Sequence, residues 1–433
     1  MDGKKQIVIL GAGFGGIKAA RALLDGLRKL DLLGKYQVVL IDRHEYQTYY
    51  PTLYEVATTS KNLANQLDLK HIVTIPLAEI FQGKPLEFVK GGVVSLDLPA
   101  GDIHLADGRT QRFDYLVLAL GSEPNYFNIP GLQEHALAFK TFIDAVKVRD
   151  AIWNILSEAP ADKRVRIIIG GGGATGVELA GEVQAWICEL EQQKISTCRA
   201  SVTIVEAAPT VLNHFDPRVV GAVTRRLEKL GVALATGEII QEVTPEHAAL
   251  KSGKELDYDV FVWTGGVKSP ALMADLPLKK EKHGKTEVAG GMACTPQTPD
   301  LKLYGKIYGI GDSVCFVNPK TQIPVPQLAE AAIGQARIAA HNILEEIKVA
   351  EGVSKQVKLK QYRPADEFSY VIPAGGKYAV AKVGPLILTG FFGWLLKGLI
   401  ELYYLLFNVL PPLQAFSVWF HGLRIFIQND RLG

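Results

Sequence analysis

Gln6-Ile7-Val8-Ile9-Leu10-Gly11-Ala12-Gly13-Phe14-Gly15-Gly16 decides the fold of this chain. An apolar run enters a glycine cluster, and an alanine- and leucine-rich stretch follows. The order is strand, glycine turn, helix. The first glycine permits a tight turn, the second lets the backbone approach a diphosphate, and the third lets helix and strand pack closely. The diphosphate then meets the free N–H groups and positive end of the helix. The next apolar run, Val38-Val39-Leu40-Ile41, ends in Asp42, an acid placed to bind an adenosine ribose.

The same scheme recurs. Val165-Arg166-Ile167-Ile168-Ile169-Gly170 leads into Gly171-Gly172-Gly173-Ala174-Thr175-Gly176, and Val202-Thr203-Ile204-Val205 ends in Glu206. Both acids come later than the usual spacing of about 20 residues. Residues 24–35 and 185–194 are read as longer crossover helices that account for this. One such glycine pattern is a weak signal, because glycines also fill ordinary turns. Two in full context predict two dinucleotides, a flavin and a nicotinamide, in one α/β protein. Glu206 would repel a 2′-phosphate, and no arginine follows it in Ala207-Ala208-Pro209, so NADH is expected over NADPH.

Lys306-Ile307-Tyr308-Gly309-Ile310-Gly311-Asp312-Ser313 reads as a strand ending in Gly-Asp, where Asp312 would bind the ribityl or phosphate part of a flavin. Tyr115–Leu120 reads as a strand with a small-residue exit at Gly121-Ser122, and Phe261–Gly266 as the matching exit of the second domain. Pro324-Val325-Pro326 precedes Gln327-Leu328-Ala329-Glu330-Ala331-Ala332, the signature of a helix start. A helix N-terminus there would stabilise negative charge on a reduced ring.

At 433 residues with 48% apolar composition, the chain supports two or three domains with a sizeable core. A net charge near +2 makes no case for nucleic acid. The first apolar run begins at Gln6, so no signal peptide is expected ahead of it. Cys188, Cys198, Cys294 and Cys315 form no CxxC pair and no metal-ligand spacing, which reads as free thiols in a reducing compartment. The nine histidines show no ligand spacing either, and no metal is expected.

From Val383 the composition turns strongly apolar up to Leu410. Lys397 and Glu401 argue against a membrane span, since each charge at mid-bilayer costs about 2.5–3.5 kcal/mol. Helical spacing places Lys397, Glu401, Tyr404 and Asn408 on one stripe and Phe392, Leu396, Leu399, Tyr403, Leu406 and Leu410 on an apolar face. After Pro411-Pro412 the scheme repeats, with Gln414, Ser417, His421, Arg424 and Gln428 polar and Leu413, Phe416, Phe420, Leu423 and Ile427 apolar. Two such helices predict a protein lying in one leaflet, with a dimer interface or core packing, or a true span, as the alternatives, since an apolar face alone does not choose between lipid and a partner subunit.

The chain resembles the type II NADH:quinone oxidoreductases, single-subunit non-pumping NADH dehydrogenases. The matching stretches include Ile41–His44, Tyr49–Ala57, Ala119–Phe127, Ile129–Leu132, Ala174–Glu182, Val262–Val267, Gly309–Asp312 and the C-terminal tail. The resemblance implies two glutathione-reductase-like Rossmann domains plus amphipathic membrane-anchoring helices. The domains are expected at 1–125 with 295–360 for FAD, 160–294 for NADH, and 361–433 for membrane association. It implies FAD contacts at Gly11, Gly13, Phe14, Gly15, Gly16, Asp42, Arg43, Gly121, Gly311 and Asp312. NADH contacts are implied at Gly171, Gly173, Thr175, Gly176 and Glu206. Glu178 matches a glutamate near the nicotinamide and quinone pockets, read either as a proton relay or as a first-turn acid stabilised by the helix dipole. Gln327, with Leu328, matches the flavin–quinone junction. The implied partners are a membrane quinone (ubiquinone or menaquinone), the membrane surface and a second copy of the chain. With no targeting segment read from the sequence, the expected location is the cytoplasmic face of a cell inner membrane, an organelle's membrane being the alternative.

This sequence departs from the family pattern in two places. Pro326 precedes Gln327 where alanine is common, with Ala331 at the second glutamine position, and Pro76-Leu77-Ala78 replaces Pro-Leu-Arg. The alternatives are a sulfide:quinone oxidoreductase using Cys315, an NADH oxidase, and a slow-turnover protein of the apoptosis-inducing-factor type.

Overall fold

The computed structural model describes residues 3–59, 69–195, 199–282, 284–300, 302 and 304–428. Cys198 lies outside them, as do the side chains of Ile427 and Gln428. The chain gathers into two compact units, each assembled from separate stretches: 1–47, 75–123 and 268–366, and then 48–74, 124–267 and 367–433. These edges fall elsewhere than the domain edges read from sequence. Residues 268–294 gather with the first unit and 367–433 with the second.

In the first unit five parallel strands run in the order Lys306–Gly309, Tyr115–Leu118, Lys5–Leu10, Tyr36–Asp42, Leu86–Lys90. Ile7, Val8, Ile9 and Leu10 have no exposed surface, as a parallel sheet flanked by helices requires. The helix Phe14–Lys29 packs along a second helix, Ala329–Ala350. It stops at Lys29, and Asp31 turns with a φ of 57°. The extra length before Asp42 is therefore partly loop, not only helix.

The second unit repeats the plan. Its parallel sheet runs Leu137–Ala138, Val260–Trp263, Arg164–Gly170, Arg199–Glu206, Ala233–Thr236. In both sheets the strand that enters the glycine turn is third of five, with the acid-ending strand beside it. Here the crossover helix, Ala174–Gln192, takes up most of the extra length.

This unit also holds the short helix Leu53–Ala57 and the C-terminal elements. Tyr370–Pro373, Ala379–Val383 and Leu386–Gly390 form an antiparallel sheet. The apolar run from Val383 thus begins as a turn and a strand, with Gly384 at φ 55° and Gly390 at φ 73°. The helix starts only at Phe391, reaches Tyr404 and continues as a π-turn over Leu405–Val409. A last helix spans Pro412–Gln428, and Trp419 Nε1 donates to the Gly398 carbonyl across the pair at 2.7 Å.

The first C-terminal helix is turned outside in. Lys397, Tyr404 and Asn408 are buried, while Phe392, Leu399 and Tyr403 are 70%, 50% and 58% exposed. Lys397 Nζ lies 2.8 Å from Glu55 and 2.6 Å from Glu401. Burial opposes the charge on Lys397, but Glu401 and Glu55 outweigh it and hold the ammonium well above its ordinary pKa. Breaking a buried pair from one side leaves a stranded charge. Lys397→Ala should therefore cost about 3–5 kcal/mol in chemical denaturation. A loss below about 1 kcal/mol, the range of exposed pairs, would show that this bridge does not fasten the helix.

Candidate functional site

The two glycine turns are built alike. A Cβ on Gly16 would stand 1.8 Å from the Gly11 carbonyl oxygen, and one on Gly176 would stand 1.9 Å from that of Gly171. The helix start is pressed onto the turn, and only glycine fits. Gly13 and Gly173 differ, because a Cβ on either would meet nothing within 4 Å. Protein packing does not demand those two glycines. The space beside them is open, and it lies where each helix begins: Gly13 caps Phe14–Lys29 and Gly173 caps Ala174–Gln192. Neither helix has a side-chain cap or an acid in its first turn. The free N–H groups and dipole of each are left for an anion.

The acids complete each cradle in the same way. Asp42 accepts from Ala12 N–H at 2.7 Å and from His44 N–H at 2.8 Å. Glu206 accepts from Gly172 N–H and from Ala208 N–H. Each carboxylate ties the end of its strand to the glycine turn. Arg43, beside Asp42, is exposed. Thr175 is exposed in the first turn of the second helix.

Elsewhere in the first unit, Gly311–Ser313 forms a short 3-10 turn after Lys306–Gly309. Asp312 accepts from Ser122 Oγ at 3.1 Å, and Gly311 N–H donates to Gln335 at 2.7 Å. Gly121 and Gly311 both take positive φ, near 70°. Gln327 is exposed, and its Nε2 donates to the Asp312 carbonyl at 3.2 Å. Leu328 is the N-cap of Ala329–Ala350, again without a side-chain cap. Gly311, Asp312, Gln327 and Leu328 line one recess. The sequence grouping of Asp312 with Gln327 is thus a contact.

Glu178 lies in the second unit, one turn beyond the first turn of its helix, which carries no acid. Burial, not the helix dipole, sets its state: desolvation pushes the carboxyl up to about 8, with Lys397 pulling it down and Glu182 pushing it up. Glu182 is wholly buried and accepts from Gly376 N–H at 3.1 Å. Glu401 is likewise raised, by burial first, against the pull of Lys397. Tyr54, over whose ring Lys397 Nζ sits at 5.4 Å, is raised well above its usual value by burial. Glu55, Glu182 and Tyr54 were not singled out from sequence. The available signal was a lysine and a glutamate inside an apolar helix, which needed a buried partner.

The residues fit a bound dinucleotide in each unit. The open cradle beside Gly13 or Gly173, the uncapped helix start and the fixed acid match the needs of a diphosphate and a ribose. Comparisons agree with this geometry. A type II NADH:quinone oxidoreductase of Staphylococcus saprophyticus is 27% identical over 377 residues, covering 85% of this chain and 86% of its own. Among solved structures, NDH2 from Plasmodium falciparum in complex with NADH is similar with a TM-score of 0.80 and 18% identity, over 99% of this chain and 98% of that one. The sulfide:quinone oxidoreductase of Aquifex aeolicus is similar at 0.72 and 18%, over 97% and 92%. Residues 5–336, both glycine turns and the Asp312 recess included, match the pyridine nucleotide-disulphide oxidoreductases, and the chain belongs to that family.

Proposed function

We propose that this chain is a type II NADH:quinone oxidoreductase that holds FAD in its first unit, takes NADH in its second, and reduces a membrane quinone without pumping protons. The observation that carries the reading is the pair of equivalent cradles in one chain. Flavin, when bound, supplies the exchange of a two-electron donor for a quinone acceptor. Gly11, Gly13, Phe14, Gly15, Gly16, Asp42, Arg43, Gly121, Gly311 and Asp312 are the FAD contacts of this reading. Gly171, Gly173, Thr175, Gly176 and Glu206 are those for NADH. The N-terminus of Ala329–Ala350, with Gln327 and Leu328, supplies positive potential to the flavin site. The fixed Glu206 carboxylate repels a 2′-phosphate.

Quinone reduction consumes two protons. Glu178 holds one up to about pH 8, which suits a donor working near neutrality. Its neighbour Lys397 sits, with Glu401, on the helix that turns its apolar side outward, and pairs with Glu55 of Leu53–Ala57. That side, with Leu413, Phe416 and Phe420 of the last helix, is the membrane face of this reading. The segment Phe391–Val409 is long and apolar enough to cross a bilayer. Because Lys397 is engaged by Glu55 and Glu401 within the unit, the helix is assigned to lie in one leaflet. A homodimer on the cytoplasmic face of a cell inner membrane completes the proposal.

The sulfide reading is less well supported. Cys315 is a free, buried thiol raised by burial, and Cys294 is free and pushed up to about 12. Neither is a ready thiolate.

Anaerobic stopped-flow tests the whole. NADH should bleach the flavin band rapidly, and a short-chain quinone should restore it. NADPH should react at least about tenfold more slowly through charge repulsion. Bleaching by sulfide and not by NADH would overturn the proposal. For the cradle, Gly13→Val should fold normally by circular dichroism yet lose FAD, while Gly16→Val should fail to fold. If Gly13→Val keeps its flavin, that space does not hold the diphosphate. For the proton, the wild-type quinone step should slow as pH rises through about 8, where Glu178 loses its proton. Glu178→Gln should cut that step about a hundredfold or more and erase the slope, leaving NADH bleaching intact. A slope that survives the substitution assigns the proton elsewhere.

A further inference from the structure

Beyond the helix Ala329–Ala350, residues 357–365 run without a turn or bend. This stretch is fastened on one side only. Lys358 and Lys360 turn their peptide groups toward the helix. His341 Nε2 meets the Lys358 carbonyl at 3.2 Å. Asn342, itself 1% exposed, takes both groups of Lys360: Oδ1 accepts from its N–H at 2.7 Å and Nδ2 donates to its carbonyl at 2.9 Å. In an extended chain alternate residues direct their peptide groups to opposite sides. Val357, Leu359 and Gln361 therefore direct theirs away from the helix, and none of these makes a hydrogen bond among the described residues. This is a pinned, extended segment with an open edge.

The edge is strongly cationic. Lys355, Lys358, Lys360 and Arg363 are exposed and form no ion pair among the described residues. Three acids near it are already engaged, Glu345 with Lys348, Glu351 with Lys35, and Asp366 with Lys320, while Glu330 faces the buried Tyr362. Val357 and Leu359 are 42% and 52% exposed.

We infer that the edge from Val357 to Gln361 docks an extended acidic peptide of a partner protein, added as a strand. Peptide groups that point outward in register supply the ladder, and the four cations supply the selection for acid. A second copy is disfavoured, since it would bring the same cations against these. An anionic lipid surface would satisfy the cations but leave the peptide groups unpaired. Lysines on edge strands also serve merely to block pairing, and the test separates the two roles. The inference is independent of the redox reading.

The full-length flavoprotein is titrated with fluorescein-labelled acetyl-(Glu-Val)-repeat hexapeptide amide and followed by anisotropy. Two control peptides are its alternately N-methylated form and a Lys-Val counterpart. The acidic peptide should bind and the Lys-Val peptide should not. N-methylation should weaken binding about tenfold or more by removing the ladder. Leu359→Pro, which deletes an N–H that nothing among the described residues uses, should do the same. So should the combined Lys355→Gln, Lys358→Gln and Lys360→Gln variant, whose backbone clamp is untouched. Reduction by NADH serves as the folding control and should be unchanged in both variants. Three results would overturn the inference: no binding at millimolar peptide, equal binding of the N-methylated peptide, or indifference to Leu359→Pro. Lysine-dependent binding to phosphatidylglycerol vesicles with no peptide binding would reassign the edge to lipid.

Discussion

The contact on which both units rest is the closure of a helix start onto a glycine turn, Gly16 on Gly11 and Gly176 on Gly171. No side chain fits between them. That closure aims each helix N-terminus at the open space beside Gly13 or Gly173. The strand-end acid then holds the turn through two backbone N–H groups. Strand, turn, helix and second strand become one rigid piece before any ligand arrives. Binding energy is then spent on the ligand and not on ordering the chain.

This piece was legible because each of its demands is local. A glycine with a positive φ, a glycine at a close approach and an acid at a strand end each leave a mark at a fixed offset. Wholly buried strands leave another, a continuous apolar run, and Ile7–Leu10 and Ile167–Ile169 show it. Asp312 and Gln327, fifteen positions apart, were legible as neighbours because the prolines before Gln327 mark where the next helix begins. Helix ends were less so. Nothing in residues 24–35 announced that the helix would stop at Lys29, because the stop is made by Asp31 entering the left-handed region, a choice open to several residue types.

The C-terminal region shows the limit of such reading. Periodicity revealed the stripe of Lys397, Glu401, Tyr404 and Asn408 but not what it faces. The answer is Glu55, 342 residues away in sequence, on a helix too short to carry a period of its own. Hydropathy marked Val383–Leu410 as one apolar segment. Backbone geometry divided it, with Gly384 and Gly390 turning the first part into a strand. A charge that hydropathy can only count as a penalty is, in the folded chain, the attachment point of the helix.

The same lysine explains why a proton sits nearby. Glu55 and Glu401 pair with one ammonium, Tyr54 lies beside it, and Glu178 feels its charge while Glu182 acts on Glu178. One positive charge in a dry site cannot neutralise several carboxylates. Lys397 is committed to Glu55 and Glu401 at hydrogen-bonding distance. Glu178 feels it only at longer range, with the buried Glu182 one helical turn away acting against ionisation. Desolvation then decides, and Glu178 keeps its proton into the neutral range. Had the acid stood in the first turn of its helix, the dipole would have favoured the ionised form. One turn further on, desolvation keeps it protonated, which is what the proposed role as a proton donor to quinone asks of it and what the transfer of a hydride does not.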